Sequence, residues 1–280
     1  MQFGKTVRFG DRPYINAVKQ AKEEGFDFLD IGLKYNLPES MTAEQVAGLK
    51  EALSEFQMTA GFHAPWKGLQ ITSPRTELRE ASIALIKRCI DFASQFPDTY
   101  LVLHPEGQSE LQQLPEVKAA MLAAGITAIK ELAEYAKKKT VPLCVENIKS
   151  NFTELNEFSP LVKKTGASFC LDVGHAFFSN YKKQRSISNA NDISQWINEF
   201  KNELAIVHFH DFTVSNGQFY DHLPIGDGIL DLEVLTAISK KTKCRKIALE
   251  IGKKANGNEA TNEEKVQGLK KIKNYLKTYR

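Results

Sequence analysis

The sequence contains four cysteines among its 280 residues, but no two of them are spaced as Cys-x-x-Cys. This absence excludes the common zinc-ribbon and thiol redox motifs. No apolar run approaches the roughly 20 residues of a membrane-spanning helix, and the N-terminus does not resemble a signal peptide. The formal net charge of +3 gives no strong preference for nucleic acid or anionic membranes. We therefore expect a cytoplasmic protein with buried free thiols at Cys144 and Cys170.

The sequence also lacks a glycine-rich phosphate loop after its first apolar run, and it shows no repeat, linker or low-complexity segment. The missing loop disfavours a doubly wound nucleotide-binding sheet. The uniform composition indicates a single domain over residues 1–280. What is present is ordinary globular composition, with 42% hydrophobic and 25% charged residues. The length suits one (β/α)₈ barrel, which typically needs roughly 250 residues.

Short apolar runs alternate with longer segments of helical periodicity along the whole chain. The runs are mostly continuous, as in parallel strands that are buried on both faces. The predicted strands are Phe3–Arg8, Phe26–Gly32, Met58–His63, Tyr100–His104, Val141–Glu146, Ser168–Asp172, Ile206–His210 and Lys246–Glu250. The predicted helices are Tyr14–Glu24, Ala43–Phe56, Arg75–Phe96, Leu114–Lys139, Phe152–Lys164, Asp192–Glu203, Leu232–Lys240 and Glu263–Tyr279. This alternation predicts an α/β protein with a (β/α)₈ TIM barrel, and a doubly wound open sheet is the competing arrangement.

Histidines and carboxylates gather at the C-terminal ends of the predicted strands or shortly after them. They are His63, His104, His175, His208, His210 and His222, with Glu146, Asp172 and Glu250. A parallel barrel brings these strand ends to one face, where barrel enzymes have their active sites. One such histidine alone would suggest a packed core residue, but the whole set suits zinc or manganese. A bound cation would also relieve the repulsion among three neighbouring carboxylates.

The ordered motifs resemble the xylose-isomerase-like barrel superfamily, which contains sugar isomerases, epimerases and endonuclease IV. The resemblance covers about residues 26–250. Its strongest segments are His63-Ala-Pro-Trp66, His104-Pro105, Val145-Glu146-Asn147, Leu171-Asp172-Val-Gly-His175-Ala-Phe177, His208-Phe-His-Asp211, His222-Leu-Pro-Ile-Gly226-Asp-Gly228 and Leu249-Glu250. The resemblance implies one metal held by Glu146, Asp172, His208 and Glu250. It also implies that in an epimerase Glu146 and Glu250 flank the substrate carbon and shuttle its proton.

Further histidines match the three-zinc site of endonuclease IV, and they are His63, His104, His175 and His222. By this resemblance His63 and His104 hold one zinc, with Glu146 bridging to the next, and His175 and His222 help to hold a third. Such a cluster activates water for phosphodiester hydrolysis. A one-metal epimerase does not require these four residues.

The chain departs from the nuclease pattern at several positions. Tyr220 stands where the nuclease has an aspartate, and Asp221 is offset by one residue. This departure counts against the third metal. No glycine-rich loop for probing DNA is visible in residues 9–13, and Trp66 and Lys67 replace the pair that wedges into the duplex.

The leading hypothesis is a divalent-metal-dependent isomerase or epimerase that acts on a sugar or sugar phosphate by proton transfer next to a carbonyl. We expect one manganese, zinc or magnesium site, with up to three sites as the alternative. Substrate contacts are expected from Trp66, Asn147, His210 and Asp211, and strand alternation places His210 on the same side as His208. The first alternative is an endonuclease IV-like zinc phosphodiesterase acting on abasic DNA. The second is a non-catalytic metal- or sugar-binding barrel. The sequence predicts no membrane partner and does not determine the oligomeric state.

Overall fold

The computed structural model describes residues 1–7, 13–33, 38–108, 111–184 and 189–278, with only the backbone at 183–184 and 189–192. The strands are β1 Gln2–Val7, β2 Phe28–Gly32, β3 Thr59–His63, β4 Leu101–Leu103, β5 Leu143–Glu146, β6 Ser168–Asp172, β7 Leu204–Phe209, β8 Asp211–Ser215, β9 Gln218–Leu223 and β10 Lys246–Leu249. The helices are α1 Tyr14–Glu23, α2 Ala43–Glu55, α3 Thr76–Ala93, α4 Pro115–Lys138, α5 Leu155–Lys163, α6 Val173–Gln184, α7 Asn189–Glu199, α8 Glu233–Lys241 and α9 Asn262–Thr278, with a short 3₁₀ helix at Pro38–Ser40.

A closed barrel forms from β1 to β7 in sequence order followed by β10, which pairs with β1. All neighbouring pairs in the barrel are parallel. The closing pair places Phe3 beside Ile247, so the first and the last barrel strand lie side by side. The predicted (β/α)₈ barrel is therefore confirmed. Strands β8 and β9 form a separate antiparallel hairpin.

The inside of the barrel is packed below its mouth. A cluster fills it, formed by Phe28, Tyr100, Val102, Cys144, Cys170, Ile206 and Ala248. Gly61 leaves room for this packing, because a Cβ there would lie 2.0 Å from the Tyr100 ring. Cys144 and Cys170 are buried free thiols, as predicted. The interior below the C-terminal mouth is thus a packed core.

Strict alternation of one strand with one helix fails after β6, where two helices follow the strand and a hairpin precedes α8. The predicted helices missed α6, which places His175 in a first helical turn. Asp172 begins this helix, because its Oδ1 accepts a hydrogen bond from the His175 backbone N–H at 2.7 Å. His222, which lies outside the predicted strands, is part of β9. Arg8 and residues 9–12 of the first loop lie outside the described residues.

The final helix has the amphipathic character that its spacing predicts. Leu269 and Ile272 of α9 are buried, while several of its lysines are exposed. None of the helices in the described ranges has both the length and the apolar character to cross a bilayer.

Candidate metal centre

The barrel brings four side chains from separate strands together at its C-terminal mouth. Glu146 and Asp172 end β5 and β6, His208 lies near the end of β7, and Glu250 follows β10. Parallel pairing places Asp172 directly beside His208. One ligand atom of each of the four residues lies within 4.8 Å of the others. We call Glu146, Asp172, His208 and Glu250 the central set.

The His208 ring is held so that one nitrogen faces carboxylates only. Its Nε2 lies 3.0 Å from Asp30 Oδ2, whereas its Nδ1 lies 3.2 Å from Glu146 Oε1 and 3.0 Å from Glu250 Oε2. A carboxylate can only accept, and both ring nitrogens face carboxylates. Burial would lower the pKa of His208, but Cys170, Glu146 and Glu250 raise it well above its usual range, so the ring without a metal is protonated on both nitrogens. A cation bound between Glu146 and Glu250 would take the place of the Nδ1 proton, while the Nε2–H would donate to Asp30. The buried Nδ1 has no hydrogen-bond partner in the described part of the chain. A divalent cation fits this arrangement, because it would satisfy the lone pair and both carboxylates.

A second group of ligands lies on the other side of Glu146. His63 Nε2 and His104 Nε2 lie 3.2 and 3.0 Å from Glu146 Oε2, the oxygen that does not face His208. The Nδ1 of His63 lies 2.8 Å from the carbonyl oxygen of Ala64, which leaves Nε2 of a neutral ring free to bind a metal. We call His63, His104 and Glu146 the first flanking set.

His175, Asp221 and His222 form a second flanking set. Their ligand atoms lie within 4.8 Å of one another, and Asp221 Oδ2 is 3.6 Å from His175 Nε2 and 4.0 Å from His222 Nε2. The Nδ1 atoms of the two histidines lie 2.8 and 3.0 Å from the carbonyl oxygens of Asn147 and Glu250. Asp221 also forms an ion pair with Lys149. This set can hold a cation, but the Lys149 ammonium already neutralises its carboxylate.

Asp221 is offset by one residue from the nuclease pattern, yet it lies beside His175 and His222. Side chains alternate along a regular strand, so adjacent Asp221 and His222 should face opposite sides. His222 instead has a positive φ of 56°, and the pairing of β9 with β8 shifts register between Asp211 and Thr213. The irregular backbone allows both neighbouring side chains to face the same group of ligands.

His210 and Asn147, predicted as substrate contacts, both hold Asp172. His210 is fully buried, and its Nε2 lies 3.0 Å from Asp172 Oδ2. The Asn147 side chain donates to the Asp172 carbonyl oxygen at 2.9 Å and accepts from the Asp172 N–H at 2.8 Å. These contacts place both side chains beside Asp172 of the central set. His210 lies on the same side of its chain segment as His208, as alternation predicts.

The carboxylate of Asp211, also predicted to contact substrate, accepts hydrogen bonds from backbone N–H groups. Its Oδ1 accepts from the N–H groups of Phe212 and Leu230, and its Oδ2 accepts from those of Gly226 and Gly228, at distances of 2.8–3.0 Å. Asp211 as a whole residue is 1% exposed. A substrate contact would require one of these bonds to break, so the geometry supports a role in shaping the loop after β9.

Trp66 lies at the rim of the first flanking set. Its ring centroid is 5.9 Å from that of His104, and the rings are inclined by 30°. The side chain is half-buried, and the Lys67 ammonium lies 5.3 Å from its ring centroid. This position suits a wall of the mouth against which an apolar sugar face or a base could pack.

The charges of the centre stabilise each other strongly. Burial alone would raise the pKa of Glu146, but the imidazoles of His208 and His104 hold it well below its usual range. Burial would likewise lower the pKa of His104, yet Glu146 and Glu106 raise it to about 9. Glu250 also has a pKa well below its usual range, because the opposing effect of burial is outweighed mainly by His208 and His222. The carboxylates therefore stay ionised and can bind cations or accept protons.

Sequence reasoning missed three residues of the site, namely Asp30, Asp221 and Lys149. A carboxylate in the middle of the apolar segment Phe28-Leu29-Asp30-Ile31 was a usable signal, because alternation places Asp30 on the same face as Phe28. Lys149 follows β5 in an irregular segment, and no spacing in the sequence relates it to Asp221.

Comparison with known proteins gives both a family and several relatives. The family model of the xylose isomerase-like TIM barrel matches residues 18–274. An uncharacterized protein of Methanocaldococcus jannaschii is 24% identical over 228 residues, which cover 80% of this chain and 81% of that protein. A probable endonuclease 4 of Aquifex aeolicus is 28% identical over 200 residues, covering 65% and 66%. The solved structure of a D-tagatose 3-epimerase-like protein superposes with a TM-score of 0.77 at 20% identity, covering 99% and 98%.

Proposed function

This chain belongs to the xylose isomerase-like TIM barrel family, and we propose that it is a divalent-metal-dependent isomerase or epimerase. The proposed substrate is a sugar or sugar phosphate, and the reaction is proton transfer at a carbon next to a carbonyl. We propose further that residues 1–280 act as one domain, because β1 and β10 close a single barrel.

The observation that carries this proposal is the pairing of two ionised glutamates around one ligand nitrogen. Glu146 and Glu250 approach His208 Nδ1 to 3.2 and 3.0 Å from different strands. Both pKa values lie well below the usual range, so each carboxylate is available as a base. To invert the configuration, one glutamate would take the proton from one side of the substrate carbon, and the other, after it has itself taken up a proton from solvent, would deliver that proton to the opposite side.

The two glutamates are not equivalent in their surroundings. The Glu250 side chain is 15% exposed and the Glu146 side chain only 1%, so Glu250 offers the more accessible oxygen to a ligand in the mouth. Glu146 is held by His208 on one oxygen and by His63 and His104 on the other. We infer that Glu250 exchanges a proton with the substrate on one side of its reacting carbon. Glu146 orients the neighbouring histidines and exchanges a proton on the opposite side of that carbon.

The central set suits manganese or zinc because it combines an imidazole nitrogen with three carboxylates, and magnesium is the harder alternative. When bound there, the metal would polarise the substrate carbonyl and stabilise negative charge on its oxygen. His210 and Asn147 keep Asp172 in place, and Trp66 provides a wall for the sugar.

The test is exchange of substrate C–H protons in deuterated water. Purified protein loaded separately with manganese, zinc or magnesium is incubated with a panel of ketoses, aldoses and their phosphates, and proton loss next to the carbonyl is followed by NMR. We expect exchange that Glu250→Gln and Glu146→Gln reduce by at least about 100-fold, the range for a general acid–base residue. Absence of exchange across the panel by verified metal-loaded protein would reject the proposal.

A second candidate function, metal-dependent phosphodiester hydrolysis, is favoured by the two flanking sets. They extend the central set through Glu146 on one side and place His175 and His222 on the other, beyond what one metal needs. The relative named a probable endonuclease 4 agrees with this alternative. Several adjacent cations could neutralise a phosphodiester and activate water.

Metal content separates the two functions. About three zinc ions per chain together with cleavage of duplex DNA at an abasic site would support the hydrolase. A single exchangeable metal together with proton exchange would support the isomerase.

A further inference from the structure

Asp30 is a buried carboxylate below the central set. It does not belong to the group of possible metal ligands formed by that set. It is 2% exposed and lies on β2, paired with Thr6 of β1 and Gly61 of β3. Its Oδ2 lies 3.0 Å from His208 Nε2. In the described part of the chain, His208 is the one cationic side chain within ion-pair distance of Asp30.

The surroundings of Asp30 disfavour a charged side chain unless that side chain is paired. The barrel interior at this level contains the rings of Phe28 and Tyr100, which pack edge to face with centroids 6.3 Å apart. An ionised carboxylate in such a place destabilises the fold unless it is paired and hydrogen-bonded. A residue that served packing alone would be apolar here.

We propose that Asp30 is a positioning residue for the metal, holding His208 with its Nδ1 lone pair directed at the central set. The inference rests on the proposed metal centre, although not on which reaction that centre serves. A carboxylate fixes both the tautomer and the orientation of a ligating imidazole and makes it a better electron donor. In His63, His175 and His222 this task falls to backbone carbonyls, which contact Nδ1 and leave Nε2 for the ligand face. His208 has the reverse orientation, and Asp30 supplies the acceptor.

Asp30→Asn is the informative change because an amide has the same shape but can donate as well as accept. An amide N–H directed at His208 Nε2 would stabilise the other tautomer, in which Nδ1 carries the proton and cannot bind metal. The neutral amide also removes the negative charge that makes the imidazole a better electron donor to the metal. We expect the dissociation constants for manganese and for zinc, measured by calorimetry without substrate, to rise about 10–100-fold.

Asp27→Asn is the matched control, since Asp27 is exposed, lies three residues earlier and receives a hydrogen bond from the Phe3 N–H at 2.8 Å. It removes the same charge away from the metal centre, so its metal affinity should equal that of the wild type. In a His208→Gln background, Asp30→Asn should have little further effect on affinity, because Asp30 acts through His208. Unchanged affinity in Asp30→Asn, or an equal loss in Asp27→Asn, would overturn the inference.

A measurement on the unmutated protein covers the case in which Asp30→Asn does not fold. Long-range ¹H–¹⁵N NMR of ¹⁵N-histidine-labelled, zinc-loaded protein, in which metal binding keeps the ligating ring neutral, shows which ring nitrogen carries the proton. We expect the proton of neutral His208 on Nε2, and a proton on Nδ1 alone would overturn the inference. If wild-type protein binds neither metal at all, the proposed metal centre itself fails. If it binds metal and Asp30→Asn binds equally well, only the role of Asp30 fails.

Discussion

Glu146 joins the central set and the first flanking set, because each of its two oxygens faces a different group of histidines. Oε1 lies 3.2 Å from His208 Nδ1, and Oε2 lies 3.0 Å from His104 Nε2. A change on one side of this carboxylate can therefore be separated experimentally from a change on the other.

His104→Ala tests whether the first flanking set takes part in the reaction. For a one-metal isomerase we expect a loss of activity within about 10-fold, because the four ligands of the central set remain. For a hydrolase with several metals the loss should exceed about 100-fold, as is typical when a metal-site residue is removed. The measurement is kcat/KM for sugar turnover and for abasic DNA cleavage, with Glu146→Gln as the severe reference. Equal, severe loss of sugar turnover from both changes would contradict the one-metal account.

Lys149→Met tests whether an ammonium competes with a cation for Asp221. Lys149 forms its ion pair at the carboxylate that lies near His175 and His222. Removing this charge frees Asp221 as a ligand, so we expect zinc per chain to rise by about one ion under saturating conditions. The content is measured by elemental analysis after gel filtration. Lys67→Met removes an exposed charge near Trp66 as a control. An unchanged ratio in Lys149→Met would show that Lys149 does not block the second flanking set.

The loop between β9 and α8 depends on a side chain from the start of β8. Asp211 collects four backbone N–H groups, and Gly228 fits against it because a Cβ there would lie 2.4 Å from Asp211 Oδ1. This loop adjoins the strand that presents Asp221 and His222. Its geometry therefore affects the second flanking set indirectly.

Asp211→Asn should destabilise the fold. The amide can still accept through its oxygen, but its NH₂ group would face two backbone donors and leave them without acceptors. Such a loss costs about 1–3 kcal/mol in the free energy of unfolding, which urea denaturation measures. Asp227→Asn, an exposed position in the same loop, should change the stability by less than about 0.5 kcal/mol. Equal stability of the two variants would contradict this role of Asp211.

The sequence predicts the barrel strands well, because each is a short apolar run and most of these runs end at a polar residue. Ser168–Asp172 matches β6, and the other predicted strands differ mainly at their ends. The hairpin β8–β9 was missed because Asp211–Leu223 mixes polar and apolar residues without clear strand character. Helix α6 was missed, since no element was predicted between Asp172 and Asp192.

Across the whole molecule, raised histidine pKa values make the stability of the fold depend on pH. The pKa of His210 is raised to about 9, mainly because the neighbouring Asp172 carboxylate outweighs the opposing effect of burial, and that of His104 reaches the same value. A histidine whose pKa is raised above the ordinary 6.5 in the folded protein stabilises the fold when it is protonated. This stabilisation is fully present at pH values below about 6.5. This stabilisation is lost as the pH rises through about 9.

The Tm of metal-stripped protein should therefore fall between pH 6.5 and 9, while the increase in Tm caused by added manganese should grow. Metal binding becomes tighter over this range because fewer protons must be displaced. Differential scanning fluorimetry with and without manganese measures both trends, and a metal concentration of 100 Kd should add about 2.7 kcal/mol. His104→Gln should make the fall with pH shallower. A metal-stripped Tm that rises over this range would contradict the coupling.

The sequence alone determined the barrel and most of the side chains that gather at its C-terminal mouth. Apolar runs of strand length require burial on both faces, and parallel strands then bring Glu146, Asp172, His208 and Glu250 to one end. These consequences follow from local pattern and chain direction, so they can be derived without coordinates.

Only the tertiary structure decided which nitrogen of each histidine faces the site and which neighbours complete it. The contact of Asp30 with His208 joins residues 178 positions apart, and the presence of Asp221 in the second flanking set depends on the left-handed backbone of His222. Ring orientation and backbone irregularity are set by packing between distant segments, and no periodicity in the sequence records such contacts.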